Sequence, residues 1–595
     1  MSDGSRRSEA TPLASLSLRG GGIRGRLARA RIPLPVMIYL LSVLLVYAAL
    51  IPTMGDIGGW DEAAHVNMGR SLVEDHVLPD LAGSPLSALL YGLGYLVFRN
   101  STYWLMYCVW LGRLVSYSLL WWGTYMVARR FSGYASPFIA MGLFVLAPFT
   151  LEILIFPSDP LFAGIAAFSL SHVLGTMESR DARGLAWASI LMGLAVLARP
   201  DGLVLSVVFV IVVAAIGWRL RALSKGLAAG LVPLLIVVGG YALATGDNGH
   251  GWAARAYANF ESGHGVVYEA PGLMDREVEV HLEAPRVYGT AEDNNYSILR
   301  AIARAPGVCV QRVLAVVRTF PKVLLGAYGK RIGVVLFLLA ARGMLELLRR
   351  RKHLLMAVLL LWAAPVATGF VITLFRTGHL LFPFYILIAL ASIGIAAIQL
   401  DVRHAPAMLA WTAILAGLGV YGIADGKLGI TYGVGIFLIA LLIVRRLSTR
   451  AEASREPAAI ALLVLFCAGL VIRGSFPSPV LRSPGAEPLE ESLAYLVQHY
   501  DRGESLAAGW PGIAWAARMT FIGLVDEDVP LRRSPDAFLE WMASQGVRAV
   551  YVDRSLFADN PAVWSLISAE IGDGLESVFV TDGGDIRIFE IRDTP

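Results

Sequence analysis

Asp61 and Glu62, side by side in Gly58-Gly-Trp-Asp-Glu-Ala-Ala-His65, are the most chemically informative residues of the sequence. They follow the first long apolar run, which puts them just outside a membrane. A carboxylate at such a rim can take the proton of an acceptor hydroxyl while that oxygen attacks. Burial beneath a lipid-facing lid would raise its pKa toward a useful value. The competing structural role is a cap on the helix that Ala63, Val66, Leu72 and Val73 predict as far as Glu74, lying in the interface. A second carboxylate, Asp159, occurs in Phe156-Pro-Ser-Asp-Pro-Leu-Phe162. Asp before Pro is a helix start, and a capping Asp still presents an oxygen to a neighbouring cavity.

Three basic groups are expected at the same rim. Arg199 stands in Ala198-Arg-Pro-Asp-Gly202, whose last three residues form a turn. Arg376 and His379 stand three residues apart in Phe375-Arg-Thr-Gly-His-Leu-Leu-Phe-Pro-Phe384, close enough to share a helical face. Short outer loops normally avoid Arg, so cations there point to an anionic ligand such as phosphate. The structural alternatives are a helix C-terminus stabilised by Arg199 and snorkelling of Arg376 and His379. A further loop carries His250, Trp252, His264, Tyr268, His281 and Tyr288. Its aromatic and acidic residues suit sugars, but its spacings match no metal motif.

The elements that must hold these groups are membrane helices. Of 595 residues, 56% are hydrophobic and only 16% charged, and the mean hydropathy is +0.62. Soluble domains carry about 25% charge, so ordinary soluble enzymes and disordered chains are excluded. Apolar runs of roughly 20 residues, enough to cross about 30 Å of hydrocarbon, predict about 13 transmembrane helices. The runs lie near 33–54, 103–128, 135–156, 160–176, 185–198, 203–218, 227–245, 329–347, 354–375, 380–399, 406–424, 429–444 and 457–473. The pair 185–198 and 203–218 is short and reads as broken or tilted. Pro85 to Phe98 is apolar but too short to span. Gly226 and Gly230 form a GxxxG that predicts close packing within the fold.

Residues 1–32 form a basic tail with Arg24, Arg26, Arg29 and Arg31, read as a cytoplasmic anchor rather than a nucleic-acid site. Every second loop is then basic, which places the N-terminus inside and the C-terminus outside. The membrane domain covers 33–473, with outer segments at about 55–102 and 246–327. In the second of these, Tyr296 to Val323 reads as one amphipathic helix on the membrane. Residues 474–595 read as an extracytoplasmic α/β domain. It has helices near 535–545 and 560–570, a strand at Arg548–Asp553, and strands near 576–581 and 585–592 around Asp582-Gly583-Gly584. It holds no phosphate-binding glycine motif. Cys108, Cys309 and Cys467 form no disulfide framework.

Taken in order, Trp60-Asp-Glu62, Ser158-Asp-Pro-Leu-Phe162, Leu197-Ala-Arg-Pro-Asp-Gly202 and Arg376 to Pro383 resemble the GT-C glycosyltransferase superfamily. The resemblance covers about 33–400 and is to the branch with aminoarabinose transferases and protein O-mannosyltransferases. It implies a polytopic, mainly α bundle of the inner (plasma) membrane serving the cell envelope. It implies a polyprenyl-phosphate sugar as donor and a lipid, glycan or protein hydroxyl as acceptor. Asp61 maps onto the base of that family, with Glu62 beside it, and Asp159 onto a second-loop carboxylate. Arg199, Arg376 and His379 become candidates for the donor phosphate, although Gly378-His379 stands where that family often has Arg-Tyr. Inversion follows from one direct displacement. No cofactor is required, although Asp61 and Glu62 suit a divalent cation.

Two rivals remain at this level. A transferase of whole glycans usually carries Trp-Trp-Asp in its tail, whereas Trp121-Trp122 here precedes Gly123 within a span. A transporter or lipid flippase would place ionisable groups near the bilayer centre and show paired repeats, whereas the carboxylates here gather at one rim.

Overall fold

The computed structural model describes residues 33–50, 60–79, 81–101, 104–146, 158–219, 221–246, 249–262, 284–315, 333–363, 383–401, 486–509, 511–524, 535–553, 575–581, 584 and 586–591, with a few positions between 406 and 420. The chain divides into two units, Met1–Leu45 and Val46–Pro595. Helix α1 (Leu34–Leu50) bridges that division and is apolar throughout. Next come α2 (Trp60–Glu74), α3 (Pro85–Phe98), α4 (Trp104–Arg130) and α5 (Pro137–Leu146). They are followed by α6 (Ser158–Ser179), α7 (Arg183–Ala198), α8 (Gly202–Arg219), α9 (Leu223–Thr245) and α10 (His250–Ser262). Helices α11 (Ile298–Arg304), α12 (Gly333–Arg349), α13 (His353–Ala363) and α14 (Phe384–Asp401) follow before the C-terminal region.

Among the described residues, three helices are long and apolar enough to cross a membrane: Asp159–Ser179, Gly202–Arg219 and Leu223–Thr245. Of the remaining expected spans, 103–128 is the 27-residue helix α4, long enough but not apolar enough in composition to count among the three. The others are shorter helices or lie wholly or partly outside the described residues, as do most of 406–424, 429–444 and 457–473. The short pair at 185–198 and 203–218 is two helices, α7 and α8. Between them Arg199 is extended at φ −160 and ψ 139, and Pro200 cannot donate to a helical ladder. The GxxxG packs within the fold. A Cβ on Gly230 would lie 2.6 Å from Val213 of α8, and one on Gly226 would lie 3.1 Å from Gly217. Pro233 interrupts α9 just after this point. Ser189 of α7 inserts its hydroxyl there, donating to the Gly230 carbonyl at 2.5 Å and accepting from Leu234 N–H at 2.9 Å. Such insertion satisfies backbone groups that a proline displaces.

The expected single helix from Tyr296 to Val323 is instead two pieces. Helix α11 ends at Arg304, and a second helix runs over 306–315, beyond which the chain lies outside the described residues. Pro306 is the reason, since it suits a helix start but not a helix interior. Leu299, Val310 and Leu314 are exposed, and Ala301 and Arg312 are buried.

The C-terminal region opens with α15 (Ala486–His499), followed by β1 (Ser505–Ala508), α16 (Pro511–Ala516), β2 (Thr520–Gly523), α17 (Pro535–Ser544), β3 (Val547–Asp553), β4 (Leu575–Val580) and β5 (Ile586–Ile591). The strands form one sheet in the order β2-β1-β3-β5-β4. β1, β2 and β3 run parallel, and β5 is antiparallel to both β3 and β4. The expected elements at 535–545, 548–553, 576–581 and 585–592 are present, and the helix expected near 560–570 lies outside the described residues. Strand alternation sends Ala507, Val550 and Val552 toward Phe538 and Met542 of α17. The other face, with Leu506, Ala508, Ala549, Tyr551, Ile586 and Ile588, joins Val66, Tyr91, Tyr95, Trp104 and Leu105 in one apolar core. The sheet therefore shares its core with α2, α3 and the start of α4.

Candidate active site

Asp61 and Glu62 occupy the first turn of α2, right after Trp60. Their side chains lie outside the described residues. The rest of α2 is anchored, with Val66 fully buried and His65 nearly so. It crosses α3 closely at two glycines. A Cβ on Gly69 would stand 2.5 Å from the Gly92 backbone nitrogen and 2.8 Å from the Ala88 carbonyl. Only a residue without a side chain fits such an approach.

Asp159 lies in the first turn of α6 and is buried. Arg199, the C-cap of α7, reaches it with Nη1 and forms an ion pair. The Nε of Arg199 donates to Asp201 in the turn that follows. Two residues read separately in the sequence are thus one cluster. Asp201, which sequence reasoning noticed only as part of a turn, is its third member. A guanidinium between two carboxylates leaves the trio with one net negative charge. Its planar fork carries five N–H donors, so an anion could approach only through donors that the carboxylates leave open.

The helices α2 and α3 converge on the same place. Ser87 of α3 donates to the Ala198 carbonyl, next to Arg199, at 3.4 Å. Tyr241, near the end of α9, donates to the Pro79 carbonyl between α2 and α3 at 2.6 Å. The stretch 79–87 is thereby tied to the C-terminal ends of α7 and α9. A hollow of about 380 Å³ lined by Arg130, His172, Thr176, Glu178 and Asp181 lies at the opposite ends of α4 and α6. It has no part in this cluster.

Arg376 and His379 lie outside the described residues, as do His264, Tyr268, His281 and the side chain of His250. Trp252 is partly exposed on α10, and Tyr288 is buried. Among the described residues no group of three His, Cys, Asp or Glu side chains is placed to hold a metal ion. Two charged residues went unnoticed in the sequence. Arg312 is buried in the helix over 306–315, donating to the Phe260 carbonyl at 2.7 Å and lying 4.8 Å over the Phe260 ring. Arg113 is buried within α4, well inside that helix. Neither has a local motif to announce it.

This arrangement, an apolar helical bundle with an α/β layer packed on α2 and α3, is similar to that of solved structures. ArnT from Cupriavidus metallidurans, bound to undecaprenyl phosphate, superposes with a TM-score of 0.53 at 14% identity, over 93% of this chain and 97% of that one. The same protein in its apo state gives 0.51 at 15% identity over the same shares. The Archaeoglobus fulgidus oligosaccharyltransferase gives 0.48 at 13% identity, over 94% of this chain and 74% of that one. At such identity the likeness to ArnT shows the fold alone: the expected mainly α chain with a small C-terminal sheet is found, and among the described residues three of the about 13 expected spans are long and apolar enough to cross a membrane. No protein-family model and no curated protein sequence matches the chain.

Proposed function

We propose that this chain is a membrane glycosyltransferase that moves a sugar from a polyprenyl-monophosphate donor to a hydroxyl acceptor on the outer face of the plasma membrane. One observation carries the reading. Within a GT-C fold, the helix bearing Asp61 packs on α3, and α3 bonds to the carbonyl beside Arg199, the partner of Asp159. This connection supports reading Asp61 as a base that works beside the Arg199 cation and its orienting carboxylates.

The chemistry is a single displacement. The acceptor hydroxyl gives its proton to the Asp61 carboxylate, and its oxygen bonds to the anomeric carbon. The bond from that carbon to the lipid phosphate oxygen breaks, and the lipid phosphate leaves with the electron pair. Attack opposite the leaving group inverts the anomeric centre. Arg199, with Arg376 and His379, would stabilise the charge developing on the phosphate, while Asp159 and Asp201 hold the Arg199 fork in one orientation. Glu62 supports Asp61. No cofactor is needed for these steps, and a divalent cation, if used, would sit at Asp61 and Glu62. The acceptor is a lipid, glycan or protein presented beneath the C-terminal α/β layer. The N-terminus faces the cytoplasm, and 33–473 forms the membrane domain of about 13 spans.

The test is release of polyprenyl phosphate and transfer of labelled sugar by the purified chain, given a panel of polyprenyl-phosphate sugars and membrane extract as acceptor. Asp61→Asn is expected to lose roughly 100-fold or more of that turnover, as for a missing general base. Full turnover in the variant removes Asp61 from its role. The second reading, a lipid-linked substrate flippase, draws on Arg113, because a buried cation inside a membrane helix often marks a transport path. It predicts lipid flipping without sugar transfer, lost in Arg113→Gln.

A further inference from the structure

The C-terminal layer contributes a side chain to the Asp61 platform. Arg518 follows α16 in a left-handed backbone conformation, φ +60. Its N–H bonds to the Trp515 carbonyl at 3.1 Å, and the next N–H, of Met519, reaches the Ala514 carbonyl at 2.8 Å. This is a helix-ending turn whose left-handed position favours Gly or Asn, and a branchless but bulky Arg sits there against its steric preference. The guanidinium has a use outside that turn. Its Nη2 donates to the carbonyl of Arg99, the C-cap of α3, at 2.9 Å. A cation there bonds a carbonyl that the helix leaves open and complements the negative end of the helix dipole.

From this contact a continuous path leads to α2, the helix that carries Asp61. Tyr95, one turn back along α3, donates its hydroxyl to Glu74 at the end of α2. Arg70 pairs with the same Glu74 across one helical turn at 3.8 Å. The two helices then cross at Gly69 and Gly92 with no room for a side chain. Beside this polar path, α16 packs on α2, and Ile513, Ala514 and Ala517 share a core with Val66. We infer that Arg518 is a positioning residue for the Asp61 helix: by fastening the end of α3, the C-terminal layer holds α2 in the place from which Asp61 works. The functional half of this inference rests on the proposed glycosyltransferase reading. Its mechanical half does not.

The experiment compares the full chain with Arg518→Gly, Arg518→Ala and Arg518→Lys. Glycine suits a left-handed backbone, so Arg518→Gly keeps or raises the melting midpoint while removing the guanidinium. Amide exchange over residues 66–74 is expected to quicken about tenfold in the Gly and Ala variants, with protection of β1 and β3 unchanged. Arg518→Lys restores part of it. In sugar transfer, kcat is expected to fall about tenfold with the donor KM unchanged. Unchanged exchange over 66–74 overturns the inference, as does loosening confined to 505–523 or faster exchange with kcat intact. If exchange quickens as expected but the wild-type chain transfers no sugar from any donor, the glycosyltransferase reading fails and the mechanical link stands.

Discussion

Arg199 shows how a residue changes meaning when its neighbours are known. In the sequence it is a cation against the charge bias of an outer loop. In the fold it is held by Asp159 and Asp201. Arg199→Ala would leave Asp159, buried at 7% exposure, without its cation. Removing one partner of such a pair is expected to destabilise the chain by about 1–3 kcal/mol, less than for a fully buried pair because Arg199 keeps 25% of its side-chain surface in the open. Asp159→Asn combined with Arg199→Ala should cost less than the sum of the two, since they share one interaction. Thermal unfolding of the four proteins measures this directly, and simple additivity would mean the pair is not coupled. Arg199→Lys should not rescue donor binding, because an ammonium cannot reproduce the planar fork.

At the scale of elements, the crossing of α2 and α3 makes a sharper demand than either helix alone. Gly69→Ala places a methyl 2.5 Å from the Gly92 nitrogen, so the helices must part. Overpacking of this kind is expected to destabilise by about 1–3 kcal/mol and to lower sugar transfer by moving Asp61. Gly239→Ala is the matched control on α9. Among the described residues, nothing beyond its own helix backbone lies within 4 Å of its added methyl, and exchanging a mid-helix glycine for alanine should be neutral or stabilising by up to about 1 kcal/mol. Melting midpoints and transfer rates of the two variants should separate. Equal effects would show that the crossing is not what matters.

At the scale of the whole molecule, the C-terminal sheet has no separate core of its own on one side. It borrows that core from α2, α3 and α4. Its stability should therefore be felt at the rim, and alkaline pH offers a way to perturb it. Tyr500 donates to Glu590 on β5 at 2.8 Å. Burial, and then the bond to Glu590, push the Tyr500 hydroxyl well above its usual value of 10.0. A folded pKa above the unfolded one means that the contribution is complete below about pH 10 and is lost as pH rises toward the folded value. Tyr551, pushed up by burial and then by Asp553, acts in the same direction. Unfolding of the full chain should accordingly weaken above about pH 10, and Tyr500→Phe should flatten part of that slope. An unchanged slope in Tyr500→Phe would remove the Tyr500–Glu590 bond as its source.

What the sequence determined by itself is whatever depends on local pattern. Apolar runs near 160–176, 203–218 and 227–245 became helices long enough to cross a membrane, because hydrocarbon demands length and continuous apolarity. Val547–Asp553, Leu575–Val580 and Ile586–Ile591 were legible from alternation and turn residues. Ser505–Ala508 and Thr520–Gly523 were not, because strands of four residues are too short to show a period. Trp60-Asp-Glu62 marked the candidate base because rare acidic pairs at a membrane rim stand out against an apolar background. Tertiary structure alone decided which distant residues meet. It joined Asp159 to Arg199, carried Ser87 to Ala198, and brought Arg518 to the end of α3 across 419 positions of chain. Such meetings arise from side-chain complementarity between packed elements, which leaves no period, composition or spacing in the sequence to read.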